Sequence, residues 1–275
     1  VCDLDYPKEK MCIMVLDDSD DNTTEQIAEL VENYKGKGFD ISHVRRGTRQ
    51  GYKAGALKYA MKYTKSEFVA IFDADFIPPK WYLKRAIPYF AKPNIGFVQC
   101  RWGHVNENYS ALTQAQALSL DFHFLVEQRA KSNSHLFMNF NGTAGIWRKE
   151  CIEDSGGWHT ATLVEDLDLS YRAQMKGWKC LFIPDIVVNA ELPVQMNGAK
   201  RQQFRWAKGS IQCAIKLLGS ILLKRKITID AKLQAFVQLT RHIVFPLMLI
   251  QFLALPILLA SNVNLYIVSF LPVVT

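Results

Sequence analysis

Along the first two-thirds of the chain, short apolar runs alternate with segments of helical periodicity. Residues 11–16 (MCIMVL) have strand length and end in Asp17 and Asp18. Thr23, with Gln26 three positions on, reads as a capping box opening a helix through about residue 34. Residues 41–44 suit a second strand, 55–63 a second helix, 68–72 a third strand and 95–99 (IGFVQ) a fourth. This rhythm predicts an α/β fold, a mostly parallel sheet flanked by helices. Ligands bind beyond the carboxyl ends of such strands. The acidic pairs fall there: Asp17 and Asp18 after the first strand, Asp73 and Asp75 (FDAD) after the third.

The later pattern differs. A long helix is expected over 111–130 and an amphipathic, basic one over about 199–224. Residues 243–260 (IVFPLMLIQFLALPILLA) then carry no charge. At about 1.5 Å per residue this run nearly spans a hydrocarbon core of about 30 Å. Pro246 and Pro256 would kink it, which membrane helices tolerate. A second apolar run, 265–274, follows Asn262 and Asn264. Lys224, Arg225, Lys226, Lys232 and Arg241 precede the span, and by the positive-inside rule they place the upstream domain in the cytoplasm. The sequence starts at Val1 and stops inside an apolar stretch, so it reads as a fragment. Its expected parts are a cytoplasmic α/β domain (1–198), interfacial helices (199–241) and a truncated transmembrane region (242–275).

Composition narrows the partners. With 275 residues, 49% hydrophobic, the chain can bury a sizeable core. Lys+Arg 33 against Asp+Glu 26 gives +7, which suits a nucleotide phosphate or an anionic membrane surface. The basic residues form no long tract, which argues against nucleic acid. Six cysteines show no CxxC spacing, so structural zinc is not expected, and scattered thiols fit a reducing compartment. The N-x-S/T triplets at Asn22, Asn108 and Asn141 read as chance.

Two strand-end carboxylates set two apart repel each other, and a divalent cation relieves this. Mg²⁺ takes one or two carboxylates plus substrate phosphates, although an Asp-x-Asp alone is equally a solvated turn. Arg45, Arg46, Arg49 and Lys53 lie among Gly47, Gly51 and Gly55, a combination suited to a diphosphate. In GGWHTATLVEDLDLSYR, Glu165 and Asp166 open a helix, where acids also favour the helix dipole. Asp166 is the candidate general base; Asp168 is expected to cap the helix or face solvent. In QQFRW, Trp206 offers a flat face to a sugar ring, and Arg205 can offset charge on a leaving phosphate. The plainer role of that helix is to lie at a lipid boundary.

The ordered set LDDSDD, FDAD, VEDLD and QQFRW resembles the D, DxD, [ST]ED, QxxRW pattern of processive family 2 glycosyltransferases, the cellulose synthase and hyaluronan synthase type. RQGYKAGAL, VQCRWGHVN, FNGTAGIWR, VEDLDLSYRAQMKGWK and ELP resemble the mannan synthase (cellulose synthase-like) branch most. The resemblance covers about residues 12–210 and implies a GT-A-like (Rossmann-like) fold whose first strand is missing here. It implies donor contacts from Asp17, Asp18, Arg49, Lys53, Asp73, Gln202, Arg205 and Trp206. Asp75, with Asp73, would hold Mg²⁺ or Mn²⁺. Asp166 would be the base, oriented by Glu165, and Asn141, Gly142, Thr143 and Trp206 would meet the acceptor. Val164 stands where the pattern has Ser or Thr. The implied activity is inverting transfer from a nucleotide-diphosphate sugar (GDP-mannose or UDP-glucose) to a growing β-linked polysaccharide beside membrane lipids. Transfer of one sugar to a lipid acceptor and a non-catalytic membrane scaffold are the alternatives.

Overall fold

The computed structural model describes residues 1–260, with side chains to residue 256. β1 (Cys12–Leu16) and β2 (Asp40–Val44) pair in parallel around α1 (Thr23–Gly36). After α2 (Tyr52–Ala60) comes a five-stranded sheet built from β3 (Phe68–Ile71), β4 (Phe76–Ile77), β5 (Ile95–His104), β6 (Gly145–Arg148) and β7 (Lys179–Ala190). Its order is β3-β6-β5-β7-β4. Short α3 (Tyr82–Ala86) precedes β5. Between β5 and β6 run α4 (Ala111–Asp121), a π-helical segment (Phe122–Gln128) and α5 (Arg129–Asn133), with no break. α6 (Lys149–Asp154) and α7 (Glu165–Lys176) link β6 to β7. Then come α8 (Met196–Leu223), α9 (Ile229–Thr240) and α10 (Val244–Ala260).

The fold is α/β, but the expected mostly parallel sheet is mixed. β5 and β7 pair in parallel over their length, as do β1 and β2. β6 runs antiparallel between β3 and β5, with Ile146 opposite both Ala70 and Val98, and β4 is antiparallel to β7. β6 is only GIWR, too short and too soon after a glycine turn to show alternation. The expected capping box is also absent. Asn22 is the cap residue without a side-chain bond, and Asp21 accepts the Thr23 N–H at 3.0 Å. The Thr24 hydroxyl turns away to Asp17 at 3.0 Å.

Alternation across the sheet divides the core. Phe97, Phe124, Phe140, Trp147 and Trp158 pack on one face. Val98, Ile146, Tyr82, Phe90 and Val188 pack on the other. A third cluster joins Leu167 and Tyr171 of α7 to Cys213, Leu217 and Ile221 of α8 and to Ala235 and Leu239 of α9. α8 is therefore seated in the core along one side. Its other side leaves Phe204, Ile215 and Leu223 exposed, continued by Ile229 and Leu233 of α9. Through a 3-10 turn α9 runs on into α10. Residues Ile229–Pro256 form a 28-residue helical stretch with an 18-residue window of mean hydropathy 1.5, long and apolar enough to cross a membrane by length and composition. It begins before the uncharged run read from the sequence, and the second apolar run (265–274) lies outside the described residues.

Candidate active site

A cleft of about 780 Å³ opens where the carboxyl ends of β3, β5 and β7 meet the amino ends of α2, α7 and α8. Lys53, Asp73, Asp75, Asn141, Gly142, Glu165, Asp166, Gln202, Arg205 and Trp206 all line it. FDAD, VEDLD and QQFRW, spread over some 130 positions of sequence, thus converge on one space with Lys53, Asn141 and Gly142.

Asp73 and Asp75 follow β3, which delivers the carboxylates to the sheet's edge. The Asp73 backbone N–H donates to Thr143 Oγ1 at 2.9 Å, fixing the turn. Lys53 Nζ pairs with the Asp73 carboxylate and donates to Gly142 O at 3.0 Å. Partial burial raises the Asp75 carboxyl above its ordinary range, and the Asp73 and Glu191 charges add to this. Two like charges without a fixed partner for Asp75 fit a divalent cation that takes further ligands from phosphates and water. Among the described residues no group of three or more His, Cys, Asp or Glu forms a closed metal cage.

Glu165 and Asp166 begin α7. Burial, then the adjacent Glu165 charge, pushes the Asp166 carboxyl up to about 7, with Lys53 pulling the other way. Burial likewise raises Glu165. A carboxyl titrating near neutrality at the floor of a cleft can accept a proton from a hydroxyl. Gly142, at φ +83°, brings the Asn141–Thr143 turn under it. A Cβ there would stand 3.1 Å from Asp166 Oδ2. Ala144, a non-glycine at φ +54° and fully buried, ends the same turn. Strain of this kind persists where surroundings enforce it. Here the enforcer is Gln99, fully buried, whose Oε1 accepts the Asn141 N–H at 2.8 Å while Nε2 donates to Cys100 O and Thr143 O.

Other candidates lie elsewhere. Thr143 is buried and faces Asp73, so it shapes the turn without lining the cleft. Asp17 is buried too. Burial alone would raise its pKa, but hydrogen bonds from Ser19, His43 and Thr24 outweigh this and hold the carboxyl well below its ordinary range. Asp18 pairs with Arg46, which also donates to Gln50 O at 2.9 Å, and the exposed Arg49 reaches Asp20 at 3.2 Å. These arginines tie the loop after β2 to the loop after β1, beside the cleft.

The solvent-facing role expected for Asp168 is overturned. Its side chain is fully buried, with Lys216 Nζ 2.6 Å from Oδ1 and Arg172 Nη2 2.8 Å from Oδ2. Lys216 also donates to His159 Nδ1 at 2.8 Å. α7, α8 and the loop before α7 are thus bolted together beneath the site. The Val164 departure has a packing reason: both its γ-carbons lie against Gly209 of α8, where a Cβ would come within 2.6 Å. Tyr52, Trp102, His104, Glu191, Leu192 and Phe204 also line the cleft. The sequence assigned them no role, although VQCRWGHVN and ELP carry four of them.

The family model "Glycosyltransferase like family 2" matches residues 1–209. A probable glucomannan 4-beta-mannosyltransferase 7 of Oryza sativa subsp. japonica is 43% identical over 253 residues, 90% of this chain and 43% of the relative. Glucomannan 4-beta-mannosyltransferase 2 of Arabidopsis thaliana is 45% identical over 231 residues, 82% of this chain and 43% of the relative. The chain thus spans less than half the length of these relatives. Among solved structures, the mannosyltransferase PcManGT of Pyrobaculum calidifontis, in complex with GDP-Man and Mn²⁺, aligns with a TM-score of 0.68 at 24% identity, covering 86% of this chain and 63% of that one. Residues 1–349 of S. aureus TarS, in complex with UDP-GlcNAc, align with a TM-score of 0.62 at 18% identity over 88% of this chain and 66% of that one. The fold is GT-A-like, and the chain belongs to glycosyltransferase family 2.

Proposed function

We propose that this chain is the catalytic part of an inverting glycosyltransferase that extends a β-linked polysaccharide from a nucleotide-diphosphate sugar. The observation that carries the reading is Asp166, raised to about 7, in one cleft with the FDAD carboxylates and the QQFRW element. The similarity to glucomannan mannosyltransferases favours GDP-mannose over UDP-glucose as donor.

Asp73 and Asp75 would hold Mg²⁺ or Mn²⁺, which supplies positive charge to a leaving diphosphate when bound. Arg205, exposed in the third turn of α8, adds charge from the opposite wall. Trp206 presents its ring to a sugar, and Gln202, one turn earlier on the same helix, offers an amide to hydroxyls or phosphate. Asp166 takes the acceptor hydroxyl proton as the new bond forms at the anomeric carbon and the bond to diphosphate breaks. One displacement inverts configuration. Glu165 raises the basicity of Asp166 through its charge.

Asp17, Asp18, Arg49 and Lys53 remain the donor-side residues of this reading, with Asp17 acting from beneath through its neighbours. The exposed apolar faces of α8 and α9 and the apolar α10 would seat the domain on the cytoplasmic membrane face, so that a lengthening chain leaves beside the helices. The test uses membranes carrying the full-length protein, Mn²⁺ and a panel of radiolabelled nucleotide sugars. A ladder of β-linked products from GDP-mannose supports the reading. A single glycolipid product, or no transfer from any donor, overturns it.

A further inference from the structure

Asn141 is gripped on both sides of its amide. Gln128 is fully buried, and its Nε2 donates to Asn139 O at 2.7 Å and to Asn141 Oδ1 at 2.8 Å. The backbone bond settles which end of Gln128 donates, and so turns Asn141 Nδ2 the other way, 3.0 Å from His123 Nε2. An amide nitrogen only donates, so His123 Nε2 is the unprotonated acceptor. The His123 proton then sits on Nδ1 and is donated to Glu127 Oε2 at 2.7 Å. Lys131 Nζ at 3.6 Å and Arg241 Nη1 at 3.9 Å flank that same carboxylate oxygen. One N–H of Asn141 is left over, and Asn141 lines the cleft. It is a donor with a fixed direction.

The π-helical segment makes this grip possible. In an α-helix of 3.6 residues per turn, positions 123 and 128 would point roughly 140° apart. The i→i+5 register brings them to one side, and such segments are frequent at functional sites. His123 itself does not line the cleft; it acts through Asn141. A parallel tie runs from α9, where Gln238 donates to Asn139 Oδ1 and accepts from Gln234. The turn under Asp166 is therefore anchored to the segment that leads into α10.

We propose that His123, backed by Glu127 and Arg241, is a positioning residue that aims the Asn141 amide so that an acceptor hydroxyl, not water, is presented to Asp166. This rests on the transferase reading above. Protonation of His123 would set a donor against the Asn141 donor and break the aim. Burial holds its pKa below the ordinary value, with Lys131 and Arg241 adding to this and Glu127 opposing, so the acceptor form prevails at neutral pH.

The experiment compares full-length wild type, His123→Leu and His123→Gln in membranes with GDP-mannose and Mn²⁺. Released GDP and incorporated mannose are measured in parallel from pH 5.5 to 8. His123→Leu should keep GDP release and the donor KM within about twofold while mannose incorporation falls about tenfold or more. His123→Gln, whose carbonyl accepts without titrating, should restore coupling and flatten the acid-side loss of coupling. Unchanged coupling in His123→Leu overturns the proposal. So does an equal fall of both readouts without rescue by glutamine, which marks a role in folding only. Absence of both GDP release and incorporation in wild type overturns the transferase reading itself, and the relay with it.

Discussion

Asp166 and Asp168 stand two positions apart on α7, and the fold uses them oppositely. Asp166 faces the cleft with a raised pKa, while Asp168 is turned into the interior against Arg172 and Lys216. In the sequence both are acids in a first helical turn, and only knowing what packs on each side separates them. Replacing Asp168 with Ala leaves two cations without their buried partner. The expected destabilisation is about 3–5 kcal/mol, read by thermal or denaturant unfolding, and an unchanged unfolding midpoint would contradict it. For Asp166 the sign is the reverse. A carboxyl raised in the folded state makes stability fall as pH climbs from the ordinary carboxylate range through about 7. Asp166→Asn should therefore melt higher than wild type at pH 8, with the difference vanishing towards pH 4. Activity needs the ionised base, so wild-type transfer should decline as pH falls through about 7. Asp75→Asn should weaken Mn²⁺ binding by calorimetry, and transfer with it, by tenfold or more, while the unfolding free energy stays within about 0.5 kcal/mol of wild type.

Elements carry the geometry that the motifs assume. α8 approaches the loop before α7 so closely that Gly209 is required: a side chain there would strike Val164. Gly209→Leu should push α8 outward, taking Arg205 and Trp206 away from Asp166. The expected outcome is transfer reduced about a hundredfold and a weakened grip on nucleotide, checked by turnover and nucleotide binding; unchanged turnover would contradict it. Strands with clear apolar runs, such as β1, β3 and the first half of β5, were legible in the sequence. β6 was not, because four residues after a glycine turn show no alternation, and its insertion, together with the antiparallel β4 at the edge, makes the sheet mixed. The long helix over 111–130 was legible in extent, but its π-helical middle was not. No local propensity announces it; it is fixed by the partners that His123 and Gln128 find across the turn.

At the scale of the whole molecule, the site is a junction between an α/β sheet and a helical layer with an unpartnered apolar side. Phe204, Ile215 and Leu223 of α8 and Ile229, Leu233 and Phe236 of α9 form that side, and Phe245, Leu249 and Phe252 continue it on α10. Burying such residues contributes about 25 cal/mol per Å², so removal from water is strongly favoured. A version ending at residue 241 with Leu223 and Leu233 changed to Ser should partition out of phospholipid vesicles that retain the unaltered chain, measured by flotation. Equal retention would contradict membrane seating by this face. The family was readable because its four motifs occur in order; FDAD, VEDLD and QQFRW line one cleft, and LDDSDD lies beside it. The donor-side roles proposed for Asp17 and Arg49 were less readable, since burial and loop pairing, not residue type, decide what those side chains can reach.

If Asp166 removes the acceptor proton, its loss should stop transfer while leaving the donor contacts in place. The most direct measurement follows a single turnover of radiolabelled GDP-mannose by membranes holding full-length wild type or Asp166→Asn, with donor binding measured on the same samples. Donor binding should stay within about threefold of wild type while the rate falls by about 10²–10⁴-fold. An undiminished rate in Asp166→Asn would contradict it.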